Sequence, residues 1–216
     1  MFKKVFCLLI LSTFIVIPIF SQETEDENTV PETRNDFQLF GGAGFGIYSM
    51  KNNDKSNNNF LTATGIYSLG AYYSISNKFY FGIGFDRLGF ATNRDSAQSA
   101  NVKNLALLLK YNIHNSEKSS IHFNAAIGTT SFKYLDNKTN TNVTASSLFI
   151  EPGIGYDHFW GEHFGYFLNA SYYYTRYTKI VNKDNNPLTV INNGFEEQLW
   201  ISLSGMHLKL GFIYKF

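Results

Sequence analysis

From Phe37 to the C-terminus, apolar and aromatic residues return at every second position in one run after another. That period matches the alternating faces of a β-strand and not the 3.6-residue turn of a helix. Eight segments follow it, predicting strands over 37–48, 61–75, 79–90, 102–113, 120–133, 145–157 and 164–178 and a last one that ends at Phe216. The fourth is typical, with Leu105, Leu107, Leu109, Tyr111 and Ile113 on one face. In the last, Leu208, Leu210, Phe212, Tyr214 and Phe216 share a face, but Leu199, Ile201 and Leu203 have the opposite parity. A β-bulge near Gly205 is expected to reconcile them.

The second face of these strands decides the architecture. It is predominantly small or polar: Gly42, Gly44 and Gly46 in the first strand, Gly82, Gly84 and Asp86 in the third, Glu151, Gly153 and Gly155 in the sixth. Glycine weakens a strand interior unless something crowds it. A narrow closed barrel supplies the crowding, because its interior holds only small residues between a few large ones. The aromatic and aliphatic face then points outward, which suits lipid. A soluble, ligand-binding barrel would instead line its lumen with the apolar residues.

Composition agrees with such a wall. Aromatics make up 17% of the 216 residues and charged residues only 16%, below the ~25% usual for soluble domains. The mean hydropathy is nevertheless −0.17, which excludes a bundle of membrane helices. The aromatics exclude a disordered chain, and the single cysteine excludes a disulfide scaffold.

The N-terminus reads as an address. Lys3 and Lys4 precede an apolar stretch from Val5 to Phe20, and Ser21 is a small residue suited to cleavage. Residues 1–21 therefore read as a cleaved secretory signal peptide, with an uncleaved anchor as the alternative. Residues 22–36 carry Glu23, Glu25, Asp26, Glu27, Glu32 and Asp36 and almost nothing apolar, as a disordered acidic leader would. Removing 1–21 leaves 195 residues with no cysteine and 16 Lys+Arg against 17 Asp+Glu. No basic excess points to nucleic acid.

The links between strands alternate in length. Those at 49–60, 91–101, 134–144 and 179–196 are long and polar, whereas 76–78, 114–119 and 158–163 are short. An up-and-down barrel of the outer membrane has long external loops and tight periplasmic turns. Eight strands put both termini on the short-turn, periplasmic side.

The C-terminus, KLGFIYKF, sets Lys209, Gly211, Tyr214 and Phe216 in a polar-x-Gly-x-x-aromatic-x-aromatic pattern. This resembles the terminal assembly signal of bacterial outer-membrane proteins. With the signal peptide and eight alternating strands, residues 37–216 resemble the small OmpA/OmpX-like outer-membrane β-barrels. The resemblance implies an all-β fold, a single eight-stranded antiparallel up-and-down transmembrane barrel, integral in the outer membrane as a monomer. It implies outer-membrane lipid and lipopolysaccharide as surroundings. The barrel-assembly machinery and periplasmic chaperones are the partners it implies during biogenesis. It does not fix a function, since the group includes anchors, adhesion or defence proteins, narrow pores and a few enzymes.

The residues themselves offer little chemistry. GGAGFG (41–46) lacks the following helix that a phosphate cradle needs. The five histidines show no paired metal-ligand spacing, and no serine lies in a nucleophile elbow. The chain is read as a non-enzyme without cofactor. Asp86, Lys110, Glu151, His207 and Lys209 fall on the inward face and form a candidate lumen network, because buried charges must pair. Tyr67, Tyr73, Tyr111, Tyr156, Trp160, Tyr166, Tyr172 and Tyr174 are candidates for the aromatic girdles at the two membrane interfaces. Two readings of function stay open. One is a structural or surface-interaction barrel plugged by the polar network, and the other is a narrow porin-like channel for ions or small solutes. A lipid-modifying outer-membrane enzyme is a third, weaker one.

Overall fold

The computed structural model describes residues 36–54, 60–90, 98–192 and 194–216, and for Phe60, Leu61 and Gln98 only the backbone. The signal peptide and residues 22–35 of the leader lie outside the described residues. Eleven strands follow in order: β1 Phe37–Asn52, β2 Phe60–Ser74, β3 Phe79–Phe90, β4 Gln98–Asn115, β5 Ser119–Asp136, β6 Thr141–Phe159, β7 Phe164–Tyr177, β8 Ile180–Asn182, β9 Thr189–Asn192, β10 Phe195–Gln198 and β11 Ile201–Lys215. No helix occurs among the described residues. Strands β1 to β7 and β11 pair antiparallel with their neighbours, and β11 pairs back onto β1, so eight strands close into a barrel. Closure removes the sheet edges that would otherwise be left unpaired.

The alternation sorts the wall into two faces. Phe45, Leu69, Ile83, Leu107, Ile127, Ile154, Leu168 and Leu210, one from each wall strand, are all exposed. In water, an apolar patch beyond a few hundred Å² marks an interaction surface; here it encircles the barrel. On β4 the outward run Leu105–Ile113 covers nine residues, the length a tilted strand needs to cross the hydrocarbon. The outer surface is built for lipid.

The inward face adds a set of large apolar and aromatic side chains to the predominantly small and polar lining expected there. Tyr48, Ile66, Leu88, Val102, Phe149, Tyr173 and Leu203 form one buried apolar cluster inside the loop-end half of the barrel. Phe40, Tyr72, Tyr80 and Phe167 also turn inward. The glycines face these rings. A Cβ on Gly211 would come within 2.6 Å of the Phe167 ring, and one on Gly205 within 2.8 Å of the Tyr48 ring. At both positions the nearest atom is a carbonyl oxygen of the neighbouring strand at 2.2 Å, so glycine relieves close strand-to-strand approach first and ring packing second.

Three expectations are corrected. The register of β11 shows no break near Gly205: Ile201 pairs with Asn52 and Tyr177, and Leu203 continues the inward face. The register shift instead lies between Asn112 and His114, at the turn end of β4. The fifth link is short, because β5 and β6 pair without interruption up to Asp136 and Thr141 and leave only 137–140 as a turn. Asp36, read as the end of the leader, is buried at the turn end, where its carbonyl accepts from the Ser74 N–H at 2.9 Å and its carboxylate meets Lys215 at 2.7 Å.

Two local features shape the seam between β6 and β7. Pairing breaks at Glu151 and Pro152 and resumes at Gly153, while pairing of the same residues to β5 continues. Pro152 has no N–H to give that ladder. Beyond the end of β7, β8 takes its place against Val143–Ala145, and Ile180 is buried with Tyr177 and Ala145.

Candidate functional site in the barrel lumen

Below the aromatic cluster, the turn-end half of the lumen holds two groups of charges. The first gathers four of the five candidate residues. Lys209 on β11 reaches Asp86 on β3 at 2.7 Å and Glu151 on β6 at 2.8 Å. Glu151 also accepts from the Ser171 hydroxyl at 2.6 Å and contacts His207 Nδ1 at 2.9 Å. Asp86 accepts from the Ser68 hydroxyl at 2.6 Å. On its far side His207 is hydrogen-bonded through Nε2 to the Tyr48 hydroxyl, which ties the polar group to the apolar cluster above.

Lys110, the fifth candidate, belongs to a separate group. It is ion-paired with Asp157 on β6 and donates to Gln38 at 3.2 Å. Its ammonium also lies over the rings of Tyr80 and Tyr72, at 4.9 and 5.4 Å. His122 stands 3.9 Å from Asp157, with its ring above Gly155. Sequence reasoning missed Asp157, Gln38, Tyr48, Ser68 and Ser171 as members. The signal that could have found Asp157 is parity, since it lies six residues beyond Glu151 on the same strand.

A cavity of about 70 Å³ separates the two groups, lined by Asp86, Lys110, His122, Glu151, Asn169 and Lys209 among others. It has room for several water molecules. His207 between a carboxylate and a hydroxyl has the outline of an acid–base relay. Its side chain is 0% exposed, enclosed between Glu151 and Tyr48. Among the described residues no group of three His, Cys, Asp or Glu is placed to hold a metal ion. The arrangement cross-links strands β1, β2, β3, β4, β6, β7 and β11 from inside.

The outer candidates separate toward the two ends. Tyr73, Tyr111, Tyr156, Trp160 and Tyr166 lie toward the turn end, where the Trp160 ring meets Phe164 at 5.4 Å and Tyr166 at 5.7 Å. Tyr67 and Tyr174 lie higher, on the loop-end side of their strands, with Tyr172 between. Tyr67, Tyr73, Tyr172 and Tyr174 face outward, whereas Tyr111, Tyr156 and Tyr166 are half-buried by their neighbours. At the terminus, Lys209 is an inward network member and Gly211 makes room for Phe167. Tyr214 packs on Phe216 at 4.8 Å, and the Phe216 N–H donates to the Phe37 carbonyl at 2.9 Å. The last strand is thereby fastened to the first.

No protein-family model matches the sequence, and no curated protein does. Solved structures do. The chain is similar to the outer membrane protein OprG from Pseudomonas aeruginosa, at 15% identity and a TM-score of 0.57, covering 85% of this chain and 97% of that one. It is similar to the outer membrane protein AlkL at 11% identity and 0.52, covering 90% and 96%. It is similar to the Neisserial surface protein A at 12% identity and 0.50, covering 83% and 97%. At such identities the likeness is one of fold. A closed eight-stranded antiparallel wall, an apolar outer face and these neighbours lead to one conclusion: the chain has the fold of the small OmpA/OmpX-like bacterial outer-membrane β-barrels.

Proposed function

We propose that this protein is an integral outer-membrane barrel with a closed lumen, acting as a structural or surface-interaction element and not as a pore or an enzyme. The observation that carries the reading is the buried cluster of Tyr48, Ile66, Leu88, Val102, Phe149, Tyr173 and Leu203, drawn from seven of the eight wall strands. Tyr173 stacks on Phe149 at 5.3 Å and meets Tyr48 edge-on at 5.8 Å, so the rings interlock across the bore. An ion crossing this layer would exchange its hydration for a few hydroxyl and amide groups, those of Tyr48, Tyr173, Asn104 and Thr130, already engaged with one another or with His207, and desolvating an ion without compensation is costly. The charged groups below are already paired, and their role is to hold the wall. The long links, the hairpin β9–β10 among them, then present the contact surface at the outer face, with both termini in the periplasm. The terminal KLGFIYKF serves recognition by the barrel-assembly machinery.

Planar-bilayer recordings test the closed lumen. The wild-type protein should give no reproducible conductance steps, whereas Tyr48→Ala/Tyr173→Ala, which empties the centre of the plug, should give discrete openings. Steps of equal size in the wild type would overturn the reading in favour of the narrow channel. Membrane placement is tested separately by fractionation and heat-modifiable migration on gels. A mature protein soluble without detergent would refute it.

A further inference from the structure

The turn end of the barrel carries two adjoining cavities, of about 270 and 210 Å³. Both are lined by Asp36, Glu117, Phe159 and Lys215, from the β4–β5 and β6–β7 turns and the two ends of the barrel chain. Together they reach the size of small-molecule pockets, about 300–1,000 Å³. The first extends inward to Asn112, which is 3% exposed and whose Oδ1 has no hydrogen-bond partner among the described residues. Asn112 stands at the register shift of β4, and its N–H donates to the Lys78 carbonyl at 2.8 Å. Such an irregularity re-aims a side chain. A buried acceptor is costly to keep unless something completes it.

The cations of the lining are already engaged. Lys110 is ion-paired with Asp157, and Lys215 with Asp36 at 2.7 Å. His163 is hydrogen-bonded through Nδ1 to the Lys215 carbonyl at 2.9 Å. Lys78 and Lys118 sit at the same end but outside the lining of either cavity. Glu117 and Glu162 are exposed and, among the described residues, have no ion-pair partner. Three open acceptors therefore follow one another: Asn112 Oδ1 in the first cavity, Glu117 on both, Glu162 in the second. Among the described residues no three acidic, Cys or His groups converge tightly enough to hold a metal ion. A ligand that uses these acceptors must reach them in sequence. The segment before Asp36 adds Glu23, Glu25, Asp26, Glu27 and Glu32 against Arg34 alone, a charge that also favours a cation.

We propose that this mouth binds a linear polyamine, a chain of ammonium groups separated by short methylene runs. An ammonium donates hydrogen bonds and accepts none, so it matches a row of open acceptors. An anion would need the lysines that Asp36 and Asp157 already hold. A neutral sugar could bond the same acceptors, but a charged donor on a carboxylate makes the stronger hydrogen bond. Phe159 lines both cavities beside Glu117 and offers the methylenes an apolar surface and the ammonium a ring face. The site goes beyond the closed-lumen reading and does not depend on it, since both cavities open at the turn end.

Isothermal titration calorimetry of the full chain in zwitterionic detergent micelles tests it, with spermidine as the probe and glucose and magnesium chloride as the other arms. Spermidine should bind saturably, one to one, and at least tenfold tighter than either. Glu117→Gln/Glu162→Gln, on exposed turns, should weaken spermidine binding roughly tenfold or more, since each removes a charge-assisted hydrogen bond. Asn112→Leu, which removes the unpartnered oxygen, should weaken it several-fold. Should Asn112→Leu fail to show the folded gel band, Glu117→Gln alone is expected to lose several-fold. Asp184→Asn, on a loop at the opposite end, should lose nothing. Absence of saturable binding, equal affinity of wild type and Glu117→Gln/Glu162→Gln, equal binding of glucose, or full displacement of spermidine by an equimolar amount of magnesium would each overturn the site.

Discussion

Removing the Lys209 ammonium should cost more than any other single change in the lumen. The ammonium sits 2.7 Å from Asp86 and 2.8 Å from Glu151, on residues that are 4–15% exposed. At an effective dielectric of ~20, each contact carries on the order of 6 kcal/mol of Coulomb energy. Desolvation offsets several kcal/mol per ion, so the pairs contribute little net relative to neutral groups. Breaking them one-sidedly is another matter. Lys209→Met leaves two carboxylates facing a common site, with only Ser68, Ser171 and His207 to stabilise them. The expected loss is about 3–5 kcal/mol. Read by urea unfolding from lipid vesicles, with a slope of ~2 kcal/mol/M, the midpoint should fall by roughly 2 M. Adding Asp86→Asn and Glu151→Gln, which retain acceptors for both serine hydroxyls, should recover most of that shift. A loss below ~1 kcal/mol for Lys209→Met, the size of an exposed ion pair, would refute the reasoning. So would a triple variant less stable than the single one.

Three further predictions follow from the wall. A Cβ on Gly155 would meet the His122 ring and nothing nearer, so Gly155→Ala should destabilise by about 1–3 kcal/mol and His122→Ala should rescue it in a double-mutant cycle. Leu107 is 54% exposed within the outward run of β4. Leu107→Arg should cost about 2–4 kcal/mol in vesicle-based unfolding, whereas Lys183→Glu on a loop should stay within about 0.5 kcal/mol. Phe216→Ala loses ring contacts to Phe37 at 5.6 Å and Tyr214 at 4.8 Å, which are worth about 1 kcal/mol each. Spontaneous folding into detergent should therefore change little, while assembly by reconstituted barrel-assembly machinery slows several-fold. Equal slowing of both would refute the role of Phe216 as a recognition signal.

The architecture was legible in the sequence because period-2 alternation is local. Leu105, Leu107 and Leu109 share a face whatever the rest of the chain does, and Asp86, Lys110, Glu151, His207 and Lys209 share the other. Where both parities are aromatic the pattern is silent. In Tyr172–Tyr173–Tyr174 nothing local says that the middle ring turns into the lumen while its neighbours face outward. Composition also misled at 134–144, where polar residues that read as loop continue as strand because β5 and β6 offer each other a complete ladder. Which charges meet was decided only by the closed barrel. Lys209 and Asp86 are 123 residues apart, and Lys110 joins Asp157 and not Glu151. Parity fixes the face of a side chain, but its height in the bore depends on the stagger between strands, which exists only once the wall has closed. The sequence by itself determined a barrel with an apolar exterior and an inward set of charges. Tertiary structure decided that the set divides in two and that aromatic rings pack across the bore above it.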